Sequence, residues 1–186
     1  MDYSLKINKI LNQTEFLPVI SKTAEKMGFR VYIVGGFVRD IILDRGRNEI
    51  DFLVIGKGVD FAKKLASVMG VKTISTFRNF GTAHFNYGGF DLEFVGARRE
   101  SYNRGSRKPV VEEGTFEDDI YRRDFTINSI AVSLNQDSYG EIIDIFGGIE
   151  DIEKKIIRTN NEPKSTFSDD PLRILRACRF ASQLSF

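Results

Sequence analysis

The spacing of hydrophobic residues along the chain changes several times, and each change marks a predicted element. Apolar side chains recur at near-helical intervals over residues 14–27 and 60–69, and a glycine follows each run. Runs of β-branched and aromatic residues bounded by glycine or polar residues predict strands. These segments are residues 31–34, 49–55, 71–75, 81–87 and 90–95, and Gly88-Gly89 forms a hairpin turn between the last two.

The second half of the chain continues this mixture. Residues 131–134 and 141–145 predict a second hairpin, and residues 149–159 a short helix that runs into a strand-like tail. Residues 168–171 favour a helix start, because acids suit the cap region and proline suits the first helical position. The apolar face of that helix consists of Leu172, Leu175, Phe180 and Leu184. The alternation predicts an α/β (α+β) fold built on a mixed sheet.

Composition narrows the class of protein. The 186 residues suffice for one substantial domain, or for one domain plus an appendage. A net charge of +1 argues against a uniformly basic coat for nucleic acid. The single cysteine, Cys178, excludes an intramolecular disulfide and suits a reducing cytosol, so we expect a cytoplasmic location, and we interpret its side chain as packed. No apolar run approaches the length of a membrane span, and no export signal is apparent.

Residues 31–55 hold the central candidate site. Gly35 and Gly36 follow a buried strand and allow a tight turn, and a helix over residues 37–43 opens with unpaired N–H groups that suit an anion. Glu49 and Asp51 are two apart on the next strand and therefore share a face. Carboxylates beside an anion site favour a divalent cation that bridges them to a phosphate. An ordinary turn and a solvated rim explain this stretch equally well.

Three further groups of polar residues are candidates. Asp91 and Glu93 share a face of one strand; we interpret Asp91 as a solvated edge residue and Glu93 as functional. The only histidine, His84, receives no role. Residues 97–109 predict a basic loop that either covers a phosphate site or is merely solvated. A third group could meet phosphate oxygens or serve as caps and structural ion pairs, and it comprises Arg122, Arg123, Asp124, Asn128, Arg173 and Arg176.

Three motifs together resemble one family. They are G-G-F-V-R-D with E-I-D at 35–51, R-R-D-F-T-I-N-S-I-A at 122–131, and D-P-L-R-I-L-R-A-C-R-F at 170–180. In this order they resemble the class II tRNA nucleotidyltransferases (CCA-adding enzymes) and the bacterial poly(A) polymerases, and the resemblance extends from about Glu15 to Phe186. It implies a nucleotidyltransferase head over residues 1–145, followed by the start of a helical neck over residues 146–186.

The resemblance also implies a reaction. The 3′ hydroxyl of a tRNA, or of another RNA, would attack the α-phosphate of CTP or ATP in a site that holds two Mg²⁺ ions, without a membrane partner. The implied catalytic residues are Glu49, Asp51 and Glu93, and the first two are the implied metal ligands. The implied nucleotide-binding residues are Gly35, Gly36, Arg39, Asp40, Arg123, Asp124, Asn128, Arg173 and Arg176.

One residue departs from the family pattern, which usually has Asp where this chain has Glu49. A non-catalytic nucleotide- or RNA-binding module therefore remains as an alternative to CCA addition. Poly(A) addition is a second alternative, because the head motifs of the poly(A) polymerases are nearly the same. We also expect a longer parent protein, because the last predicted helix continues to Phe186 and no later base-recognition or tRNA-binding segment of the family has a match.

Overall fold

The computed structural model describes residues 3–77, 81–101 and 110–186. Its helices are α1 (Tyr3–Gln13), α2 (Leu17–Met27), α3 (Gly36–Ile42), α4 (Gly58–Val68), α5 (Phe116–Tyr121), α6 (Gly148–Glu153), α7 (Pro163–Asp169) and α8 (Leu172–Leu184). Its strands are β1 (Arg30–Val34), β2 (Glu49–Ile55), β3 (Ser75–Phe77), β4 (Thr82–Tyr87), β5 (Phe90–Gly96), β6 (Arg98–Ser101), β7 (Val110–Glu113), β8 (Ala131–Ser133) and β9 (Ile142–Ile143).

A seven-stranded mixed sheet organises these elements, in the order β3-β4-β5-β2-β1-β8-β9. Strand β2 pairs antiparallel with β1 and parallel with β5, which confirms the predicted mixed sheet. The parallel pair is made possible by α4 and the strands β3 and β4, which carry the chain from the end of β2 to the start of β5.

The two faces of the sheet differ in character. Ile50, Phe52 and Phe94 point into the main hydrophobic core, which also contains buried residues of α1, α2 and α4. Leu53 points to the opposite face, where it belongs to a much smaller apolar cluster. Because side chains alternate along a strand, Asp51 lies on that second face. The sequence thus places the acidic residues away from the main core.

One predicted strand and one predicted loop are wrong in extent. Residues 71–74 have no regular structure, because Val71 N donates to Ala66 O and closes the end of α4, so the strand β3 begins only at Ser75. The predicted loop at residues 97–109 contains a strand, β6, which pairs antiparallel with β7; residues 102–109 lie outside the described part of the chain. Both glycines of the predicted hairpin turn, Gly88 and Gly89, have positive φ, as that turn requires.

The C-terminal third follows its predicted outline. Strands β8 and β9 pair antiparallel, and α6 follows them, but the predicted strand-like tail is reduced to one bridge between Phe125 and Thr159. Asp124 and Asn128 lie in a turn and a 3-10 helix (Thr126–Asn128), so their predicted common face is not that of an α-helix. Helices α1 and α7 have no counterpart among the predictions.

Helix α8 begins near its predicted start, and Asp170 Oδ1 accepts a hydrogen bond from Leu172 N at 3.1 Å. Only half of its predicted apolar face is buried: Phe180 and Leu184 pack into the core, whereas Leu172 and Leu175 are exposed. The interpretation of Cys178 as a packed residue is wrong, because its side chain is exposed.

The helix ends at Leu184 and does not run on to Phe186, since Ser185 adopts a left-handed conformation. No helix in the described part of the chain is long and apolar enough to cross a membrane.

Candidate active site

A cavity of about 710 Å³ opens on the polar face of the sheet, between the start of α3 and helix α8. Ten of the twelve predicted site residues line it: Gly35, Gly36, Arg39, Asp51, Glu93, Arg123, Asp124, Asn128, Arg173 and Arg176. The two that do not line it are Asp40 and Glu49. Residues from three separate motifs therefore converge on one space, which sequence proximity alone does not require.

Asp51 and Glu93 form the acidic centre of this cavity. They are register partners in the parallel pair of β2 and β5, so their side chains leave the same face of the sheet side by side. Burial raises the pKa of Asp51 above its ordinary 3.8, and the cationic side chains of Arg123 and Arg47 partly oppose that rise. Burial, and next the charge of Asp51, raise the pKa of Glu93 above 4.5. Both half-buried acids have a raised pKa, and the charge of Asp51 contributes to that of Glu93, so the pair gains from a bound cation.

Glu49 stands apart from this pair, although it lies two residues before Asp51 on the same strand. Its carboxylate accepts a hydrogen bond from Arg47 Nη2 at 2.6 Å, and its side chain is 64% exposed. Across the described residues, no three acidic, histidine or cysteine side chains are arranged to hold a metal ion. Asp51 and Glu93 supply carboxylate oxygens, which are the ligands of hard divalent cations. The pair therefore fits such a cation, while Glu49 would join only after leaving Arg47.

The glycine turn is tightly packed against arginine side chains. Gly35 has φ +76°, and a Cβ atom there would lie 3.3 Å from Arg123 Nη1 and 3.7 Å from Asp51 Oδ2. A Cβ on Gly36 would lie 2.8 Å from Arg47 Nη1. The predicted helix behind the turn, α3, has only seven residues, so the cationic character of the turn comes chiefly from these guanidinium groups.

Arg39, which lines the cavity, and Asp40, which does not, form a buried ion pair. Arg39 is 2% exposed, and its Nε and Nη2 donate to Asp40 Oδ1 at 2.9 and 2.8 Å. Its Nη1 donates to Asn128 Oδ1 at 2.6 Å. Each nitrogen of the Arg39 guanidinium thus already has a partner in the protein. The structure places Arg39 and Asp40 where they tie α3 to the 3-10 helix.

The motif at residues 122–128 is held by buried acids. Asp119 is fully buried. It accepts hydrogen bonds from Arg122 Nη2 at 2.5 Å and from Arg123 Nη2 at 3.0 Å. Asp124 Oδ1 accepts from Phe125 N at 2.9 Å and from Asn128 Nδ2 at 3.2 Å. The caps and ion pairs foreseen as one explanation of this motif are present, and they orient Arg122 and Arg123 along the cavity wall.

Helix α8 forms the opposite wall with three arginines. Arg173 Nη2 donates to Arg122 O at 3.1 Å, and Arg176 Nε donates to Asp124 Oδ2 at 2.6 Å. Arg179 also lines the cavity, and its guanidinium lies 5.0 Å from the centroid of the Phe180 ring. The density of guanidinium groups around two acids makes the cavity suited to a polyanion that carries a divalent cation.

Asp91, a neighbour of the acidic centre, differs from its prediction, whereas His84 does not. Asp91 is not an edge residue, because β5 lies between β4 and β2. Its carboxylate contacts His84 Nε2 and accepts from Asn86 Nδ2 at 3.2 Å. His84 thus has a structural partner and lies outside the cavity lining.

Arg47 and Phe180 also line the cavity, but the sequence does not identify them as lining residues. Arg47 lies in a loop without periodicity, and its position two residues before Glu49 is the only signal for their ion pair. Phe180 follows the predicted apolar face of α8, and the pattern gives no sign that Arg39 and Arg176 would lie 5.3 and 5.4 Å from its ring centroid.

Comparison with known proteins links this geometry to one group. Residues 31–158 match the family described as the poly A polymerase head domain. The chain is 49% identical over 157 residues to an A-adding tRNA nucleotidyltransferase of Aquifex aeolicus, covering 84% of this chain and 19% of that protein. It is 38% identical over 172 residues to a CCA-adding enzyme of Lactobacillus helveticus, covering 91% of this chain and 41% of the relative.

A solved structure is similar in fold as well as in sequence. It is a tRNA nucleotidyltransferase complexed with a primer tRNA and an incoming ATP analog, with a TM-score of 0.78 and 43% identity. The match covers 90% of this chain and 45% of that one. The chain thus spans less than half the length of each of these relatives.

Proposed function

Because the chain belongs to the poly A polymerase head-domain family, we propose that it carries the transfer site of a tRNA nucleotidyltransferase. The reaction adds CMP and AMP from CTP and ATP to the 3′ end of tRNA, which completes the CCA terminus. The observation that carries this proposal is the pairing of Asp51 with Glu93 at the centre of an arginine-lined cavity. A triphosphate with a divalent cation matches that distribution of charge.

The chain's own residues divide the work by charge. Asp51 and Glu93 would hold a divalent cation, and Glu49 would complete the set after turning toward Asp51. Arg123, Arg173 and Arg176 line the path of the triphosphate and neutralise charge on its oxygens. Arg39, Asp40, Asp124 and Asn128 act behind them, because their mutual hydrogen bonds fix the turn and the cavity wall.

The family uses divalent metal ions, and Mg²⁺ is the ion we assign to this site. It prefers a few carboxylates together with substrate phosphates over a complete protein cage, and Asp51 and Glu93 provide such an incomplete set. When bound, Mg²⁺ supplies activation of the attacking hydroxyl and stabilisation of the leaving oxygens. No covalent enzyme intermediate is required, because the RNA hydroxyl attacks the α-phosphate directly and pyrophosphate leaves.

The division into a head over residues 1–145 and the start of a neck over residues 146–186 belongs to the same proposal. Strand β9, the last of the large sheet, ends at Ile143, and helices α6, α7 and α8 follow it. The cytoplasm is the proposed location, in keeping with a chain that contains one cysteine, which is free.

A-addition alone is the second candidate, and the 49% identity to an A-adding relative favours it. The test incubates the protein with Mg²⁺ and three tRNA transcripts, which end at the discriminator base, at the first C and at the second C. Each of CTP and ATP is supplied alone and then together, and the products are sequenced.

Extension of all three transcripts to CCA supports CCA addition, and extension of only the last by one A supports A-addition. An open-ended A tail would instead indicate poly(A) polymerase activity. Triphosphate binding without release of pyrophosphate would contradict catalysis and leave a nucleotide-binding module.

A further inference from the structure

Arg47 occupies a bridging position at the mouth of the cavity. Its Nη1 donates to Asp40 Oδ2 at 3.1 Å, and its Nη2 donates to Glu49 Oε2 at 2.6 Å. Asp40 is itself held by the buried Arg39. One end of the Arg47 fork is therefore anchored on a fixed carboxylate, while the other end holds Glu49, whose side chain is 64% exposed.

The fit of Arg47 depends on a missing side chain. A Cβ atom on Gly36 would lie 2.8 Å from Arg47 Nη1 and 3.1 Å from Cζ. The guanidinium thus lies against the backbone of the glycine turn, where a triphosphate would be bound. Arg47 lines the cavity, and its charge already lowers the pKa of Asp51 against the effect of burial.

Glu49 cannot serve Arg47 and a cation at full strength together. Glu49 does not line the cavity, and its Oε2 accepts from Arg47 Nη2, whereas Asp51 on the same face lines the cavity. Residues two apart on a strand point to one side, so rotation of the Glu49 side chain is sufficient to turn it toward Asp51. Such a rotation releases Arg47 Nη2 while Nη1 stays on Asp40.

We propose that Arg47 is a positioning residue that exchanges partners: it holds Glu49 in the free protein, and it passes to a phosphate oxygen of the triphosphate when Glu49 turns to bind a divalent cation. The inference rests on the proposed function and deepens it. Nη2 is then a donor beside the glycine turn, where the phosphates of the substrate lie. Cation and triphosphate binding are coupled through this one side chain, so each strengthens the other.

The test measures the two steps separately on the 186-residue protein. Free Mn²⁺ is titrated by electron paramagnetic resonance without nucleotide, and binding of a non-reactive α,β-methylene ATP analogue is then measured by calorimetry with EDTA and with saturating Mn²⁺. Arg47→Gln is compared with Arg45→Gln. Arg45 belongs to the same loop, but its Nη1 donates to Gln183 O at the end of α8, so the control removes an equal charge elsewhere.

Arg47→Gln should bind Mn²⁺ about threefold more tightly without nucleotide, because Glu49 loses its competing partner. The same variant should bind the analogue at least about tenfold more weakly at saturating Mn²⁺, because a charge-assisted contact to phosphate is lost. In EDTA its affinity for the analogue should change much less. Arg47→Lys keeps the charge but cannot bridge both carboxylates. Its affinities for Mn²⁺ and for the analogue should lie between those of the wild-type protein and Arg47→Gln.

Three results would overturn the inference. They are weaker Mn²⁺ binding by Arg47→Gln, an unchanged gain from Mn²⁺ in analogue binding, and equal effects of Arg45→Gln. Each would leave the proposed function standing. A wild-type protein that binds neither Mn²⁺ nor the analogue would overturn both, so the two failures are distinguishable. Arg47→Lys decides the matter if Arg47→Gln does not fold.

Discussion

Arg176 Nε lies 2.6 Å from Asp124 Oδ2, so a side chain of α8 closes the hydrogen-bond network of the turn that precedes the 3-10 helix. The other oxygen of Asp124 accepts from Phe125 N and Asn128 Nδ2, and Asp124 is only 7% exposed. A buried carboxylate without its cation is costly. The contact therefore fixes α8 on the rest of the molecule and shapes the cavity wall at the same time.

Arg176→Ala should lower the free energy of unfolding by about 1.5–3 kcal/mol, because Asp124 loses a charged partner. Urea denaturation measures the change, and a cycle with Asp124→Asn isolates the pair. Arg179→Ala is the matched control: it removes the same charge from the same helix, and its stacking on Phe180 contributes about 0.5–1 kcal/mol. Equal losses for the two variants would show that the contact with Asp124 contributes nothing special.

Asp51→Asn should abolish nucleotidyl transfer and raise the melting temperature of the metal-free protein at neutral pH. Burial raises the pKa of Asp51 above 3.8, so the folded state binds its proton more tightly than the unfolded chain. Stability from this group is fully present below the ordinary value and is lost as pH rises through the raised pKa. Asp51→Asn has no carboxylate to ionise and does not lose this stability at neutral pH. Its higher melting temperature relative to the wild-type protein should therefore vanish in acid.

Melting curves of the wild-type protein and of Asp51→Asn, recorded without metal from neutral pH to below the ordinary pKa of 3.8, measure the effect on stability. Asp60→Asn is the control, because Asp60 is an exposed acid in the first turn of α4, where its charge favours the helix. That variant should be slightly less stable near neutral pH. An Asp51→Asn variant that is also less stable there would show that the carboxylate is stabilised in the folded protein.

The sequence predicts those features of the site that depend on a local pattern, but not those that depend on contacts between distant segments. Period-two alternation is enough to place Asp51 on the polar face, because Phe52 must enter the core. The pairing of Asp51 with Glu93 is fixed by a parallel register between distant strands, which no local pattern contains. The partner of Glu49 lies in an aperiodic loop, so Arg47 was not predicted.

Helix α8 shows the same limit. Its apolar period is correct, but whether Leu175 or Phe180 is buried depends on the surface against which the helix packs. The prediction that Cys178 is packed fails for the same cause, because the sequence does not show which side of the helix meets the core, and Cys178 is exposed. Residues 71–74 are predicted as part of a strand but do not form one, because Val71 N donates to Ala66 O at the end of α4.

Gly36→Ala should leave the fold intact and change the site. The new methyl group meets the end of the flexible Arg47 side chain, which can move, so the free energy of unfolding should change by less than about 1 kcal/mol. Gly58→Ala should cost about 2–3 kcal/mol, because its methyl group would lie 2.5 Å from Gly96 N in a rigid strand. Urea denaturation of both variants compares the sites. A large loss for Gly36→Ala would show that Arg47 cannot yield.

Glu49→Asp should bind Mn²⁺ about threefold more tightly than the wild-type protein, because the shorter side chain reaches Arg47 less well and is free for the cation. Transfer activity should be kept or increased, since the change restores the residue that the sequence resemblance implies at this position. Mn²⁺ titration and the rate at several Mg²⁺ concentrations measure both effects. A higher metal requirement in the variant would mean that the site is built for the longer acid, and Glu49→Gln provides the charge-free reference.

The parallel pairing of β2 with β5 also has a consequence for how the protein reaches its native state. Helix α4 and the strands β3 and β4 lie between β2 and β5 in sequence, so Asp51 and Glu93 become neighbours only when this long intervening segment closes. Pairings between residues distant in sequence form late and slowly, since the intervening loop must close first. A cation that needs both acids has no comparable site on a partly folded chain, so it stabilises the completed sheet alone and slows unfolding more than it speeds folding.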